Sequence, residues 1–132
     1  MRSKILIIED NEQNMYMLTY LLQSAQFDII QAYSGSTGIE AAQMNIPDII
    51  LLDIQLPGMD GYAVALKLRA IAELQHTPII AVTSYAMPGD KERAIASGAS
   101  GYIEKPINPD TFVAQMESFL PGTMKQKGKK RL

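Results

Sequence analysis

Four short segments hold the side chains most able to do chemistry. Glu9 and Asp10 follow an apolar run, Asp53 ends a second, Thr83 and Ser84 follow a third, and Glu104, Lys105 and Pro106 follow a fourth. Carboxylates crowded at one place repel each other, so such a cluster is tolerable only where a cation offsets it. Hard oxygen donors with room for water suit Mg²⁺, with Mn²⁺ as the alternative. A lysine nearby supplies a fixed positive charge. These parts suit phosphoryl transfer. The Asp53 carboxylate would attack phosphorus, while the metal and Lys105 neutralise charge on the transferring group. The Thr83 hydroxyl would donate to a phosphoryl oxygen.

These residues meet only if the chain folds so that its strands end together. The apolar runs Ile5–Ile8, Ile29–Ala32, Ile49–Leu52, Ile79–Val82 and Gly101–Ile103 mostly lack period-two alternation, which marks strands buried on both faces of a parallel sheet. Between and after them lie segments with helical spacing, roughly 11–25, 35–45, 60–73, 87–97 and 109–120. Strict alternation predicts a doubly wound (βα)₅ fold in the strand order 2-1-3-4-5, with ligands at the carboxyl ends of the first and third strands. Glu9, Asp10 and Asp53 should converge there.

The 132 residues fit one domain, expected over 1–122, followed by a basic tail at 123–132. The tail holds Lys125, Lys127, Lys129, Lys130 and Arg131. Without those five, seven basic residues face fourteen acids, a body near −7 that would repel nucleic acid. The tail is expected to be disordered and solubilising. There are no cysteines, so thiol chemistry and thiolate metal sites are excluded. No apolar run is long enough for a membrane span or a signal segment, which suggests a cytoplasmic protein.

The segments IIEDN (7–11), LLDIQLPGMDGY (51–62), AVTSYA (81–86) and GYIEKPI (101–107) resemble those of response-regulator receiver domains, in order and in register over about residues 3–120. The wording most resembles stand-alone receivers of the DivK type and receiver modules of hybrid kinases. The resemblance implies a two-component or phosphorelay switch, not an enzyme in its own right, with only intrinsic self-phosphorylation and self-dephosphorylation. Asp53 would accept a phosphoryl group from a histidine kinase or a histidine phosphotransfer protein. Glu9, Asp10, Asp53 and the backbone carbonyl of Gln55 would hold Mg²⁺. Lys105 would bind the phosphoryl group, the Lys105–Pro106 bond would be cis, and Thr83, Ser84 and Tyr102 would form the switch. Output would pass to another protein through the fourth helix, fifth strand and fifth helix, a face with Met87, Pro88, Lys91, Tyr102 and Glu104. Tyr102 would turn from exposed to buried on activation. No DNA binding is expected.

A phosphatase of the haloacid dehalogenase class is disfavoured, because its general acid would stand at Gln55 and an amide cannot shuttle the proton. A flavin protein of the same topology is disfavoured by the acidic run Glu9-Asp10-Asn11-Glu12, which would repel a phosphate. Tyr85 is expected to shield the phosphoryl group and slow its loss. In the first helix, Met17, Leu18, Leu21 and Leu22 are expected to suffice for the core, leaving Met15 and an outward stripe of Tyr16 and Tyr20. That stripe would serve the phosphodonor.

Overall fold

In a computed structural model, which describes residues 2–84 and 88–121, the chain alternates strand and helix throughout. The order is β1 (Lys4–Ile8), α1 (Glu12–Ser24), β2 (Asp28–Ala32), α2 (Gly35–Asn45), β3 (Ile49–Asp53), α3 (Gly61–Arg69), a 3-10 turn (Ala72–Leu74), β4 (Ile79–Thr83), α4 (Asp90–Ala96), β5 (Gly101–Glu104) and α5 (Phe112–Glu117). All pairings are parallel and the sheet order is β2-β1-β3-β4-β5, as predicted. The expected tail and Tyr85 and Met87 lie outside the described residues. Among the described residues, no helix is long and apolar enough to cross a membrane.

The sheet separates two apolar layers. Alternate residues of each central strand point to opposite faces. One layer gathers Leu6, Ile8, Ile50, Leu52, Ile79 and Ala81 against α2, α3 and α4, where Val64, Leu68 and Ala94 are buried. The other gathers Ile5, Ile7, Ile49, Leu51 and Ile80 against Met15, Leu18 and Leu22 of α1 and Phe112 and Met116 of α5. β3 and β4 are buried at every position, which explains their unbroken apolar runs, whereas the edge strand β2 is buried only at Ala32.

Met15 is therefore core and Met17 is only half-buried, the reverse of the expected assignment. The two stand two positions apart, about 200° around the axis, so the buried stripe of Met15, Leu18 and Leu22 admits one and turns the other aside. The outward stripe stands as expected, with Tyr16 and Tyr20 exposed.

Three helices are shorter than predicted. α4 begins only at Asp90, after Gly89 in the left-handed region at φ 91°. α5 begins only at Phe112, because Asn108 Oδ1 accepts from the Asp110 amide and opens the segment with a turn. α3 stops at Arg69, whose guanidinium leaves the helix to serve the next loop. It donates to the carbonyls of Leu74, Gln75 and Thr77 at 2.7, 3.1 and 2.8 Å and to Gly98 at 2.6 Å, beyond the end of α4. One planar fork thus satisfies carbonyls from two segments, at a cost in desolvation that lowers its pKa.

Arg69→Ala should lower unfolding stability by about 2–3 kcal/mol, since partly buried carbonyls lose a charged donor. Arg69→Lys should recover less than half of it, because a single ammonium cannot span both segments. Urea unfolding of the three proteins measures this directly.

Candidate functional site

Register fixes the site. Ile8 pairs with Leu52, so Glu9 and Asp53 leave the sheet at the same level. Asp53 pairs with Val82, and Thr83 with Glu104, which places Thr83 and Lys105 just beyond. The Glu9 amide still bonds Ala32 O at 3.0 Å, and the Lys105 amide bonds Thr83 O at 2.7 Å, so both residues stay tied to the sheet edge. The Lys105–Pro106 bond is cis. Glu9, Asp53 and Thr83 are buried, at 2%, 5% and 2% exposure, while Asp10 faces solvent.

Carboxylate oxygens of Glu9, Asp10 and Asp53 all lie within 4.8 Å of one another. Lys105 Nζ reaches two of the three, donating to Glu9 Oε1 at 2.9 Å and to Asp53 Oδ2 at 3.4 Å. Two backbone amides assist: Asn11 N–H donates to Glu9 Oε2 at 3.1 Å and Gln55 N–H to Asp53 Oδ1 at 2.9 Å. Asn11 also caps α1 through Asn14, which holds the acidic loop against the helix. Three clustered carboxylates with one nearby lysine fit a divalent cation, because hard oxygen donors are in excess over positive charge.

The chain reaches this geometry on the β3 side through a close turn. Gly58 sits at φ 80°, and Asp60 caps α3 by accepting from Tyr62 N–H at 2.9 Å. Gly61 packs against the Ile54 backbone so closely that a Cβ there would lie 2.4 Å from Ile54 Cα. Only glycine lets α3 start directly above the residues that follow Asp53.

Tyr102 is not exposed, contrary to the expectation that it starts exposed. Its ring is half-buried against the layer of α3 and α4, and its hydroxyl is buried with no hydrogen-bond partner among the described residues. Burial, with Asp90 nearby, pushes that hydroxyl's pKa up. No outside-to-inside turn of Tyr102 is therefore needed from this conformation. Residues around it line a groove between α4, β5 and α5, with Lys91, Glu92, Tyr102, Glu104, Gln115 and Phe119 in its wall.

Two features escaped the sequence. Arg93 of α4 lies 4.1 Å over the Tyr62 ring and meets Asp60 Oδ2 at 3.2 Å, which links α4 to the cap of α3. The Gln55 side chain also crosses to β4. Its Nε2 donates to Thr83 Oγ1, and its Oε1 accepts from the Ser84 amide at 2.9 Å and the Ser84 hydroxyl at 3.2 Å. Nothing in the sequence signals that the Gln55 side chain ties to β4.

Burial is the largest influence on Glu9 and raises its pKa above the usual 4.5, with Asp53 adding to the rise and Lys105 opposing it. Burial would lower Lys105, but Glu9 and Asp53 outweigh it and the net shift is upward from 10.5.

Comparison with known proteins bears on the same residues. The family described as response regulator receiver domain matches residues 5–117. The polar-differentiation response regulator DivK of Brucella ovis is 40% identical over 120 residues, covering 91% of this chain and 98% of that protein. The structure of the chemotaxis response regulator CheY4 of Vibrio cholerae superposes with a TM-score of 0.86 at 28% identity, covering 91% of this chain and 100% of that one. The receiver domain of a sensor histidine kinase from Pseudomonas aeruginosa, solved with a magnesium ion coordinated in its active site cleft, superposes with a TM-score of 0.81 at 28% identity, covering 90% and 98%.

A pH profile tests the electrostatics of the site. Folded Glu9 holds its proton to higher pH than unfolded Glu9, so its contribution is fully present below about pH 4.5 and is lost as pH rises through the raised folded value. In metal-free buffer, stability should therefore fall over that range, and Glu9→Gln should flatten the fall. Urea unfolding at constant ionic strength between pH 4 and 8, both set by roughly the carboxylate range, gives the slope.

Proposed function

This chain belongs to the response-regulator receiver family and so acts in phosphorylation-dependent signalling; from that premise we propose that Asp53 is its phosphoacceptor. The observation that carries the assignment is the meeting of Asp53 with Glu9, Asp10 and Lys105 at one sheet edge. An Asp53 oxygen would attack the phosphorus of a phosphohistidine. A P–O bond forms as the P–N bond breaks, and the leaving imidazole takes up a proton.

Mg²⁺ is the proposed cofactor, held by Glu9, Asp10, Asp53 and the Gln55 carbonyl, where it would neutralise charge on the transferring group. The magnesium reported for the Pseudomonas receiver supports this choice. Lys105 would hold a phosphoryl oxygen, exchanging its contact with Glu9 for one with the new dianion. Thr83 would donate to another phosphoryl oxygen, with Ser84 and Tyr102 completing the switch. The proposed donor is a histidine kinase or histidine phosphotransfer protein docking near Tyr16 and Tyr20. The proposed output partner is a protein, not DNA, on the groove between α4, β5 and α5. We place the unit at 1–122 in the cytoplasm, with turnover limited to its own phosphorylation and hydrolysis.

Treatment with beryllofluoride or acetyl phosphate and Mg²⁺ should give one adduct by intact mass, abolished in Asp53→Asn. An adduct that survives Asp53→Asn would refute the assignment. Mg²⁺ should also raise the melting temperature by mass action. Asp10→Asn should stabilise the metal-free protein, by relieving repulsion, while weakening that response. Unchanged Mg²⁺ dependence in Asp10→Asn would place the metal elsewhere.

Thr83→Ala should leave Asp53 phosphorylation largely intact but uncouple the distant response. In nuclear magnetic resonance spectra, beryllofluoride should shift resonances of α4 and β5 in the wild type and much less in Thr83→Ala. Shifts confined to the pocket in the wild type would exclude the proposed output face.

A further inference from the structure

The end of β4 is held by one side chain from the far side of the pocket. Gln55 is itself anchored, because its backbone N–H donates to Asp53 Oδ1 at 2.9 Å. Its amide then spans to two consecutive residues 28 and 29 positions away, Thr83 and Ser84. The orientation of that amide is set chemically. Ser84 N–H can only donate, so the amide oxygen must face it. The amide nitrogen is left to donate to Thr83 Oγ1, which turns the hydroxyl's own hydrogen away from Gln55. The Ser84 hydroxyl adds a third bond to the same oxygen at 3.2 Å.

We propose that Gln55 is a positioning residue that latches β4 in the resting conformation, so that its amide opposes the movement of Thr83 toward a phosphoryl group on Asp53. This rests on the assignment of Asp53 as phosphoacceptor. Thr83 and Ser84 cannot shift together without breaking or carrying along the bonds to Gln55. A phosphoryl group gains from Thr83 only the difference between its interaction and the one it displaces. Gln55 therefore sets how strongly the resting state is favoured, in addition to lending its carbonyl to the metal. The effect works through Thr83, and Gln55 need not touch the phosphoryl group.

Two substitutions separate latching from simple obstruction. Gln55→Met keeps the length of the side chain and removes every hydrogen bond; Gln55→Ala also opens space. Beryllofluoride binding to the full chain in Mg²⁺, followed by fluorine resonance, should tighten in both by about fivefold to tenfold, the scale of one net neutral hydrogen bond. Ser84→Ala, which deletes only one of the three bonds, should tighten binding less, in the same direction. The Ser84 amide proton of the metal-free protein should exchange faster in both Gln55 variants. Tightening in Gln55→Ala alone would mean steric shielding and overturn the latch. Weaker binding in both would mean that Gln55 supports the phosphoryl group, and would also overturn it. Unchanged exchange at Ser84 would show that the bonds do not hold β4. Failure of the wild type itself to form an adduct would remove the phosphoacceptor assignment, and the latch with it.

Discussion

Glu9 and Asp53 are buried carboxylates that parallel register forces to one level of the sheet, with Asp10 beside them. Like charges 4 to 5 Å apart repel by roughly 3 to 4 kcal/mol at an effective dielectric of about 20. The fold cannot relieve that repulsion by moving the residues, because β1 and β3 are paired interior strands of the sheet and are apolar on both sides. It offsets it with Lys105, delivered by a strand that is not adjacent to either, and with two backbone amides. The site is thus charged in a way that leaves room for more positive charge than the chain itself supplies.

That imbalance explains why surrounding loops are so tightly specified. The acidic loop after β1 is braced by Asn11 at the start of α1. The loop after β3 is closed by Gly61 against Ile54 and capped by Asp60. Asp60 in turn meets Arg93, so the same cap that shapes the loop after Asp53 also touches α4. As an exposed pair this contact contributes little to stability. Its value is geometric: the resting position of α4 is referred to the loop that follows Asp53.

Strand identity was readable from the sequence because unbroken apolar runs such as Ile49–Leu52 have few other uses, and the sheet order came with the doubly wound class of fold. Once the order was known, the meeting of Glu9, Asp10, Asp53 and Lys105 followed from chain connectivity alone. What was not readable depends on side-chain reach or phase. Gln55 was read as a carbonyl for the metal and as an amide unable to act as general acid, since no periodicity tells that the amide will cross to Ser84. Nothing in the sequence singles out Arg69, because its four carbonyl partners arise from how two loops approach each other. Met15 and Met17 lie on nearly opposite sides of a helix with more apolar residues than its buried stripe needs, so composition alone left open which of them faces inward. An exposed start for Tyr102 comes only with the switch that the resemblance implies, and its ring instead packs against the layer of α3 and α4.

The two apolar layers share no side chains, since the sheet stands between them. Thr83 follows the alternation of Ile79 and Ala81 and so belongs to the layer that also holds Tyr62, Ala94 and Tyr102. Helix α1 is seated entirely in the opposite layer through Met15, Leu18 and Leu22. The sheet therefore stands between the proposed donor face on α1 and the layer that holds Thr83. On the proposed assignment, substitutions along the exposed stripe of Tyr16 and Tyr20 would re-address the protein to a different upstream partner while the opposite layer stays as it is, so the two properties would be free to diversify separately.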